Sequence, residues 1–280
     1  MPISPVEYDY ICQLLKSECA IALDVGKEYL VELRIGILAE NEGFSSAQNL
    51  IQQLTQKKEP QLVKKVVDAM TTNETLFFRD FKPFELLHKE ILPHLFQRQS
   101  GAKELNIWSA ACSMGQEPYS IAMVLDQYFA QQRSDWKIHL QATDISFTCL
   151  NYAKDAVYNQ FEVNRGLPIS LLVRYFEQEN DRWKLKPVIK EQVQFQELNL
   201  IEPWPSYMPK MDIIFLRNVL IYFDFATKKK ILQKVRQQLK PDGYLFLGNA
   251  ETTLMIDDAF SRIDSLYNVN CYQVNSRNNQ

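Results

Sequence analysis

The sequence predicts an α/β protein in which a doubly wound sheet follows a small all-α N-terminal domain and contains a small antiparallel β insertion. Three observations predict this fold class. Apolar residues recur at spacings of three and four through residues 1–70, strands alternate with helices from residue 104 onward, and residues 171–191 interrupt that alternation. Because alternating strands and helices favour a parallel sheet, we expect a helical domain at 1–70, a linker at 71–80 and an α/β domain at 81–280.

The helical domain is predicted to contain amphipathic helices, and serines mark two of their starts. Ser4 precedes Pro5, and Ser45 precedes Ser46; serine is a favoured helix N-cap, and proline fits the first helical turn. The segment TTNETLFFRD at 71–80 has no clean period, so we expect an entry loop there. The repeating apolar positions of the domain are Ile11, Leu14, Leu15, Leu30, Leu33, Ile37, Leu50, Ile51 and Leu54.

The α/β domain is predicted to open with a helix around Phe84 and to end in an edge strand at 268–274. The segment KPDG at 240–243 is typical of a turn before a strand. A polar turn at 179–181 separates two candidate antiparallel strands of the insertion. The other predicted strands are 104–108, 138–143, 193–197, 211–216 and 244–247, and the predicted helices between them are 117–129, 147–155 and 227–239.

Composition indicates an ordinary soluble protein. The chain is 46% hydrophobic and 23% charged with a net charge of −3, which lacks the basic footprint of a nucleic-acid-binding protein. No signal peptide and no membrane-length apolar run is evident, so we expect a cytoplasmic protein without membrane insertion. The five cysteines form no CxxC pair and the three histidines have no metal-ligand spacing, so neither a disulfide framework nor a metal site is expected.

The turn after the first predicted strand, WSAACSMGQEPYS at 108–120, indicates an adenosine-containing cofactor. Doubly wound domains bind such cofactors where a strand passes into a helix. Gly115 is the one glycine of this turn, so a dinucleotide with a pyrophosphate is not expected. Asp144 ends the next strand, where its carboxylate can accept hydrogen bonds from a ribose diol or cap the following helix, and position alone favours neither role. Glu117 can bind a cationic amine of the cofactor or complement a helix dipole.

Further polar residues follow the later strands. Arg217 and Asn218 stand at the carboxyl end of the fourth predicted strand, where open α/β sheets bind their ligands. Tyr222, taken alone, is more typical of a buried aromatic whose hydroxyl bonds to the backbone. Other polar candidates, taken alone, are more typical of turns and loops: Asn73, Thr75, Arg79 and Asn199.

Together these segments resemble the CheR-type chemotaxis receptor methyltransferases, which transfer a methyl group from S-adenosylmethionine to glutamate side chains of chemoreceptors. The helical segment GKEYLVELR at 26–34 also fits that family. The matching segments occur in the family's order: TTNETLFFRD (71–80), WSAACSMGQEPYS (108–120), ATDIS (142–146), LNL (198–200), RNVLIYF (217–223) and LKPDGYLFLGNAE (239–251).

The resemblance implies an S-adenosylmethionine-dependent methyltransferase fold, a seven-stranded sheet with its last strand antiparallel, and no metal. Arg79 and Tyr222 are implied to lie near the sulfonium and the incoming carboxylate, as catalytic residues. The residues implied to line the cofactor site are Asn73, Thr75, Arg79, Glu117, Asp144, Asn199, Leu200, Arg217 and Asn218.

Two departures from the family pattern bear on the partner, which the resemblance implies to be the helical cytoplasmic domain of a chemoreceptor. Some members grip a receptor tail peptide with a glycine-rich turn in the insertion, whereas YFEQENDRWKL at 175–185 has a short turn without glycine. We therefore expect a member that works without this tether. Residues 1–70 carry seven basic and ten acidic side chains, so a strongly basic docking face is not expected.

Three other classes of function remain as alternatives. A non-catalytic cofactor-binding module is one, although the presence of Arg79 and Tyr222 favours an enzyme. Methyltransferases that act on nucleic-acid bases usually carry an N/D-P-P-Y/F motif where this chain has RNVLIYF. A nicotinamide dehydrogenase ranks last, since the glycine-rich pyrophosphate turn is missing.

Overall fold

Helices form the N-terminal domain of the computed structural model, which describes residues 2–23, 26–98, 103–132 and 136–275. They are α1 (Pro5–Cys19), α2 (Glu28–Asn41), α3 (Ala47–Gln56) and α4 (Pro60–Met70). Two helix starts are confirmed, because Ser4 Oγ accepts a hydrogen bond from the Glu7 N–H and Ser46 Oγ accepts one from the Asn49 N–H. The apolar faces of the helices pack into a core of their own.

Helix α2 departs from the expected pattern. Its buried residues are Val31, Ile35 and Ala39, whereas Leu33 and Ile37 are 58% and 53% exposed. The sequence of α2 carries apolar residues on two sides, and only one side meets the other helices of the domain. Periodicity predicted the helix but assigned part of its apolar repeat to the wrong face.

The α/β domain alternates strands and helices. Its strands in the described ranges are β1 (Glu104–Ala110), β2 (Lys137–Asp144), β3 (Val157–Asn159), β4 (Phe176–Glu179), β5 (Arg182–Leu185), β6 (Val193–Glu197), β7 (Met211–Leu216), β8 (Leu239–Leu247), β9 (Phe260–Arg262) and β10 (Cys271–Val274). Its helices there are α5 (Lys82–Leu86), α6 (Leu92–Arg98), α7 (Gln116–Gln132), α8 (Phe147–Asp155), α9 (Gln160–Asn164), α10 (Ile169–Tyr175), α11 (Pro187–Lys190) and α12 (Phe225–Gln238). A π-helical turn, Leu87–Ile91, joins α5 to α6.

Within the described ranges, seven strands form the main sheet in the order β6-β2-β1-β7-β8-β10-β9. The pairs from β6 to β8 are parallel, and β10 runs antiparallel to both β8 and β9. The predicted doubly wound sheet with an antiparallel last strand is therefore confirmed. Helices cover both faces, so β7 is buried along its whole length, as is usual for parallel strands. Ile213 and Phe215 enter one core, and Ile214 and Leu216 enter the other.

Two details of this sheet differ from the expectation. The last strand, expected at the edge, lies between β8 and β9. The short strand Phe260–Arg262 forms the edge instead, and its three residues are too few to show an alternating pattern in the sequence. The KPDG segment at 240–243 was expected to form a turn before the strand, but it lies inside the strand. Strand β8 begins at Leu239, opposite Met211, and its register shifts before Tyr244 pairs with Ile213, so the turn residues form an irregularity inside the strand.

The insertion is a small antiparallel sheet of order β3-β5-β4. Its antiparallel character is confirmed, but it begins earlier than residue 171, because Tyr158 of β3 pairs with Trp183 of β5. Three residues are too few to show a strand period in the sequence. Asn180 adopts a φ of 57° in the turn between β4 and β5, a conformation that asparagine tolerates without glycine. In the described part of the chain, no helix is long and apolar enough to cross a bilayer.

Candidate active site

A cavity of about 400 Å³ lies where the carboxyl ends of β1, β2, β6 and β7 face the N-terminal domain. Its walls come from the turns after these strands, from the entry segment 71–80 and from the connection between α1 and α2. This is the end of an open α/β sheet at which ligands bind. All the predicted site residues line it: Asn73, Thr75, Arg79, Glu117, Asp144, Asn199, Leu200, Arg217, Asn218 and Tyr222. The structure thus brings them together, and their individual roles remain predictions.

The turn after β1 is held in an unusual backbone conformation. Ala111, Ser113 and Gly115 have φ values of 56°, 51° and 91°, in the left-handed region that most side chains disfavour. A Cβ on Gly115 would lie 2.9 Å from the Cβ of Ala153, so a glycine is needed there. Ser113 Oγ donates to the carbonyl of Asn73 at 2.9 Å, which ties this turn to the entry segment.

Asp144 fastens the β1 turn to the end of β2. Its Oδ2 accepts the Ser113 N–H at 2.7 Å, and its Oδ1 accepts the Ser146 N–H at 2.9 Å. Burial raises the pKa of the Asp144 carboxyl, and these backbone hydrogen bonds oppose the shift. The alternative role as a helix cap is wrong, because Ser146 is the N-cap of α8 and its Oγ accepts the Cys149 N–H. A carboxylate has about four lone-pair sites, so Asp144 retains acceptor capacity toward the cavity that it lines.

Glu117 is paired inside the protein. Its Oε2 accepts from Arg217 Nη1 at 2.8 Å, and its Oε1 accepts from Ser109 Oγ at 2.9 Å. Burial raises the pKa of the Glu117 carboxyl, while Arg217 counteracts that rise. The helix-dipole alternative is therefore incomplete, because the partner of this carboxylate is a buried guanidinium.

Arg217 connects three parts of the site. Besides Glu117, it donates from Nη2 to Asp80 Oδ2 at 2.6 Å and to the carbonyl of Arg79 at 2.9 Å. Its side chain is 1% exposed, and its guanidinium lies 5.8 Å from the ring centroid of Phe84. Within the described residues, its Nε is buried without a hydrogen-bond partner. Arg217 therefore acts on the cavity mainly by fixing Glu117 and the entry segment.

The entry segment is anchored by two buried phenylalanines. Phe77 is 0% exposed and meets Tyr158 edge-to-face at 5.0 Å, and the Phe78 N–H donates to Ser120 Oγ at 2.9 Å. Phe78, Asp80 and Phe81 have positive φ values of 49°, 67° and 50°. Such conformations cost free energy and persist only where their surroundings enforce them. Alongside these anchors, the segment presents Asn73, Thr75 and Arg79 to the cavity.

Arg79 and Tyr222 line the cavity from different segments of the chain. Arg79 Nη1 donates to the carbonyl of Glu74 at 3.0 Å. Tyr222 ends a 3-10 turn, Leu220–Tyr222, that follows β7. The side chain of Tyr222 is partly exposed and lines the cavity, so its alternative as a fully buried aromatic is wrong.

The loop after β6 joins the cavity to the N-terminal domain. Asn199 Nδ2 donates to the carbonyl of Glu18 at 2.7 Å, and Asn199 Oδ1 accepts the Ile201 N–H at 3.3 Å. The second contact is that of a turn former, as the sequence alone suggested for this residue. Lys234 of α12 donates to the carbonyls of Leu200 and Glu202. Sequence reasoning missed Lys234, because nothing in a helix pattern shows which loop its side chain reaches.

Two further features were missed for a similar reason. The connection after α1 forms part of the cavity wall, and the Ala22 N–H donates to the carbonyl of Tyr222 at 3.2 Å. Glu251, at the end of the segment LKPDGYLFLGNAE, accepts hydrogen bonds from the backbone that follows β7. An acidic residue just beyond a strand end was the available signal for Glu251.

The residue set fits S-adenosylmethionine. The cavity volume lies within the range of small-molecule sites, roughly 300–1,000 Å³. Buried carboxylates at Asp144 and Glu117 suit a ribose and a cationic amine, and the small residues of the β1 turn leave room beside them. In the described ranges, no group of histidine, cysteine or acidic side chains is arranged to hold a metal ion.

Comparisons with known proteins cover almost the whole chain. The family described as "CheR methyltransferase, all-alpha domain" matches residues 6–71, and "CheR methyltransferase, SAM binding domain" matches residues 73–269. A relative named "Chemotaxis protein methyltransferase 1" from Pseudomonas aeruginosa is 41% identical and covers 94% of this chain and 96% of its own. A Pseudomonas putida chemotaxis protein methyltransferase is 40% identical with the same coverage. One from Vibrio cholerae is 38% identical over 93% of this chain and 94% of its own.

Proposed function

The chain belongs to the CheR methyltransferase family, and we propose that it methylates glutamate side chains of chemoreceptors. The products are glutamate methyl esters and S-adenosylhomocysteine, and the process served is sensory adaptation. The observation that carries this proposal is the common cavity: Arg79 and Tyr222 line it together with the buried carboxylates Glu117 and Asp144. The chain is a methyltransferase by family, and we propose its substrate and the roles of its residues.

Asp144 and Glu117 orient the cofactor in this proposal. Asp144 accepts the ribose hydroxyls with the acceptor sites that the backbone leaves free. Glu117 receives the cationic amine of the methionine end. Because Arg217 already pairs with one Glu117 oxygen at 2.8 Å, the amine adds a second cation beside a buried carboxylate, which favours its charged form. When bound, S-adenosylmethionine supplies an activated methyl group on its sulfonium.

The transfer needs no general base. A glutamate carboxyl has a reference pKa of about 4.3 and is ionised near neutral pH. The protein's task is therefore to align the carboxylate oxygen with the methyl group, and such positioning can contribute on the order of 7–11 kcal/mol. Arg79 orients the incoming carboxylate from the entry segment, and Tyr222 borders the same cavity from the loop after β7. Orientation rather than a tight buried ion pair keeps the carboxylate nucleophilic.

The docking surface in this proposal is the exposed face of α2. Tyr29, Leu33 and Ile37 are spaced four apart and are 64%, 58% and 53% exposed, so they form one apolar stripe. The helix begins at the cavity, because Lys27 and Leu30 line the cavity wall. A helical receptor domain can thus lie along α2 with a glutamate reaching the site. The short turn at Asn180 supports binding without a tail-peptide tether.

The product explains how such a reaction signals. A methyl ester is neutral, so it removes like-charge repulsion between neighbouring acidic side chains on a receptor helix. A receptor with two conformations of similar free energy then shifts toward the state that the repulsion had disfavoured.

A direct test uses the purified protein, methyl-labelled S-adenosylmethionine and a soluble receptor cytoplasmic fragment. We expect label on glutamates that mild alkali releases, because methyl esters are base-labile. Arg79→Ala is expected to lower kcat by about 100-fold, the effect of misplacing a reactant. Arg174→Ala, which removes a surface ion pair with Asp126, is the matched control and should leave kcat unchanged. Base-stable label, or none with any receptor fragment, would contradict the proposal.

The competing classes of function predict different outcomes of the same labelling experiment. A non-catalytic module would bind S-adenosylhomocysteine and leave every fragment unlabelled. A base methyltransferase would label nucleic acid instead, and a dehydrogenase would bind a nicotinamide cofactor.

A further inference from the structure

Glu251 is a buried carboxylate outside the predicted cofactor set. The residue is 4% exposed, and it stands four positions beyond the end of β8. Its Oε1 accepts the N–H groups of Val219 at 2.9 Å and Leu220 at 2.7 Å, and its Oε2 accepts those of Asn218 and Gly248, each at 2.7 Å. Successive backbone N–H groups of this kind form an anion-binding concavity. Here the anion is part of the protein.

These hydrogen bonds hold the loop after β7 in a conformation that it would not otherwise favour. Asn218 has a φ of 59°, and the N–H groups of Asn218, Val219 and Leu220 point to one side. A 3-10 turn starts there and ends at Tyr222. Charge-assisted hydrogen bonds that a carboxylate accepts are about twice as strong as neutral ones, so the carboxylate offsets the strain at Asn218.

The turn that carries Glu251 is itself held by a hydrogen-bonding side chain. Asn270 Nδ2 donates to the carbonyls of Gly248 at 3.0 Å and Glu251 at 2.8 Å, which joins the turn to the segment before β10. Gly248 has no room for a side chain, because its Cβ would lie 2.6 Å from Asn218 Nδ2 and 2.7 Å from Glu251 Oε2. A connected path therefore runs from Asn270 through Glu251 to Tyr222.

We propose that Glu251 is a positioning residue for methyl transfer, which fixes the loop carrying Tyr222 through its backbone. Glu251 does not line the reacting end of the cavity and acts only through the loop. This inference rests on the proposed function, because it assigns a step of that reaction. The inference also predicts that methyl transfer can be impaired while cofactor binding is largely retained. Seven of the nine predicted cofactor contacts lie on other elements, whereas Asn218 and Tyr222 stand on the loop that Glu251 holds.

Glu251→Gln tests the inference. A glutamine keeps the shape but presents an NH₂ group to two of the backbone donors, so the loop must shift. We expect kcat to fall by about 100-fold, the loss associated with a displacement of about 1 Å. The dissociation constant for S-adenosylhomocysteine, measured by calorimetry, should change by a much smaller factor.

Asp212→Asn is the matched control. Asp212 is also a buried carboxylate, and its Oδ2 accepts the Asn106 N–H at 2.8 Å, but it lies at the opposite end of β7. We expect a lower melting temperature with an unchanged kcat. A Glu251→Gln enzyme with wild-type kcat would overturn the inference. So would a Glu251→Gln enzyme whose kcat falls no further than that of Asp212→Asn at equal loss of stability.

Gly248→Ala provides a second route to the same contact. The added methyl group pushes on Asn218 and Glu251 without removing a charge, so it should reproduce the loss of kcat. Because Asn218 is one of nine predicted cofactor contacts, the dissociation constant for S-adenosylhomocysteine should rise by a much smaller factor than kcat falls. That binding also shows that either variant is folded. If the wild-type enzyme labels no receptor, the proposed function fails; if it labels receptors and both variants match it, only the inference about Glu251 fails.

Discussion

Arg217 and Glu117 form an ion pair 2.8 Å long inside the wall of the cavity, although 100 positions separate them in the chain. Arg217 follows β7, and Glu117 lies in the first turn of α7. The same guanidinium also binds Asp80 of the entry segment at 2.6 Å. One buried cation thus holds together the first turn of α7, the entry segment and the loop that leads to Tyr222.

We expect Arg217→Gln to destabilise the protein and weaken cofactor binding. Removing one partner of a buried ion pair leaves uncompensated charge and costs about 3–5 kcal/mol. Urea unfolding and calorimetric titration with S-adenosylhomocysteine measure the two effects. Arg174→Gln, whose ion pair with Asp126 is at the surface, should cost no more than about 1 kcal/mol. Equal stability losses in the two variants would contradict the prediction.

Gly166 is expected to be required for the shape of the entry segment. It has a φ of 87°, and a Cβ there would lie 2.1 Å from the carbonyl oxygen of Phe77. Gly166→Ala should therefore lower the free energy of unfolding by at least about 1–3 kcal/mol and reduce methyl transfer, because Phe77 anchors the segment that carries Arg79. Thermal unfolding and kcat are the measurements.

Gly36 offers a control of opposite sign. It lies inside α2, and among the residues that the structure describes, a Cβ added there would have no other atom within 4 Å beyond its own helix backbone and chain neighbours. Gly36→Ala should raise the free energy of unfolding by about 0.5–1 kcal/mol, because alanine loses less backbone entropy in a helix. A stabilising effect of Gly166→Ala would contradict the prediction for Gly166, because it would show that the backbone around Gly166 can move away from the Phe77 carbonyl without cost.

The apolar stripe of α2 predicts that one substitution can weaken receptor binding without changing cofactor binding. Leu33→Glu should raise the KM for a receptor fragment at least about fivefold, which corresponds to about 1 kcal/mol of interface energy. The dissociation constant for S-adenosylhomocysteine should not change, since Leu33 does not line the cavity. Val6→Glu is the control, because Val6 is 78% exposed on α1. An equal rise in KM for both variants would show a general effect of negative charge.

Lys234 predicts a pH dependence of stability. Burial lowers its pKa to about 8 from an ordinary value of 10.5, so between these values the unfolded chain binds more protons than the folded one. Its contribution to stability therefore rises with pH from about 8 to 10.5. Unfolding in urea at pH 7.5 and at pH 9.5 should show the wild type gaining stability relative to Lys234→Met. A difference that is constant with pH would contradict this assignment.

The control for Lys234 is Lys184→Met. Lys184 pairs with Glu179 in the exposed hairpin of the insertion at 3.1 Å. Its removal should cost no more than about 1 kcal/mol of stability, because solvent screens an ion pair at this exposed position.

The helices and longer strands could be predicted from the sequence, because residue spacing and capping residues act over a few positions. Apolar residues at helical spacing placed the first three N-terminal helices, and Ser4 and Ser46 marked two starts; α4 was expected only as part of a helical domain. The apolar strands β1, β2, β6 and β7 were found within a residue or two, whereas β8 begins five residues before its predicted start. Short strands were not: β3 and β9 have three residues each, too few to show a period, and they form only because a longer strand supplies their partners.

The site divides in the same way. The sequence by itself determined which polar residues stand at the carboxyl ends of strands, and the resemblance of its segments to one family supplied the cofactor. Only the tertiary structure decided that Arg217 directs its hydrogen bonds to Glu117 and Asp80, that Asp144 binds the Ser113 N–H of the β1 turn, and that Glu251 holds the loop to Tyr222. Partners across 31 to 137 positions leave no local pattern, because burial and hydrogen bonding depend on what the folded chain brings into contact.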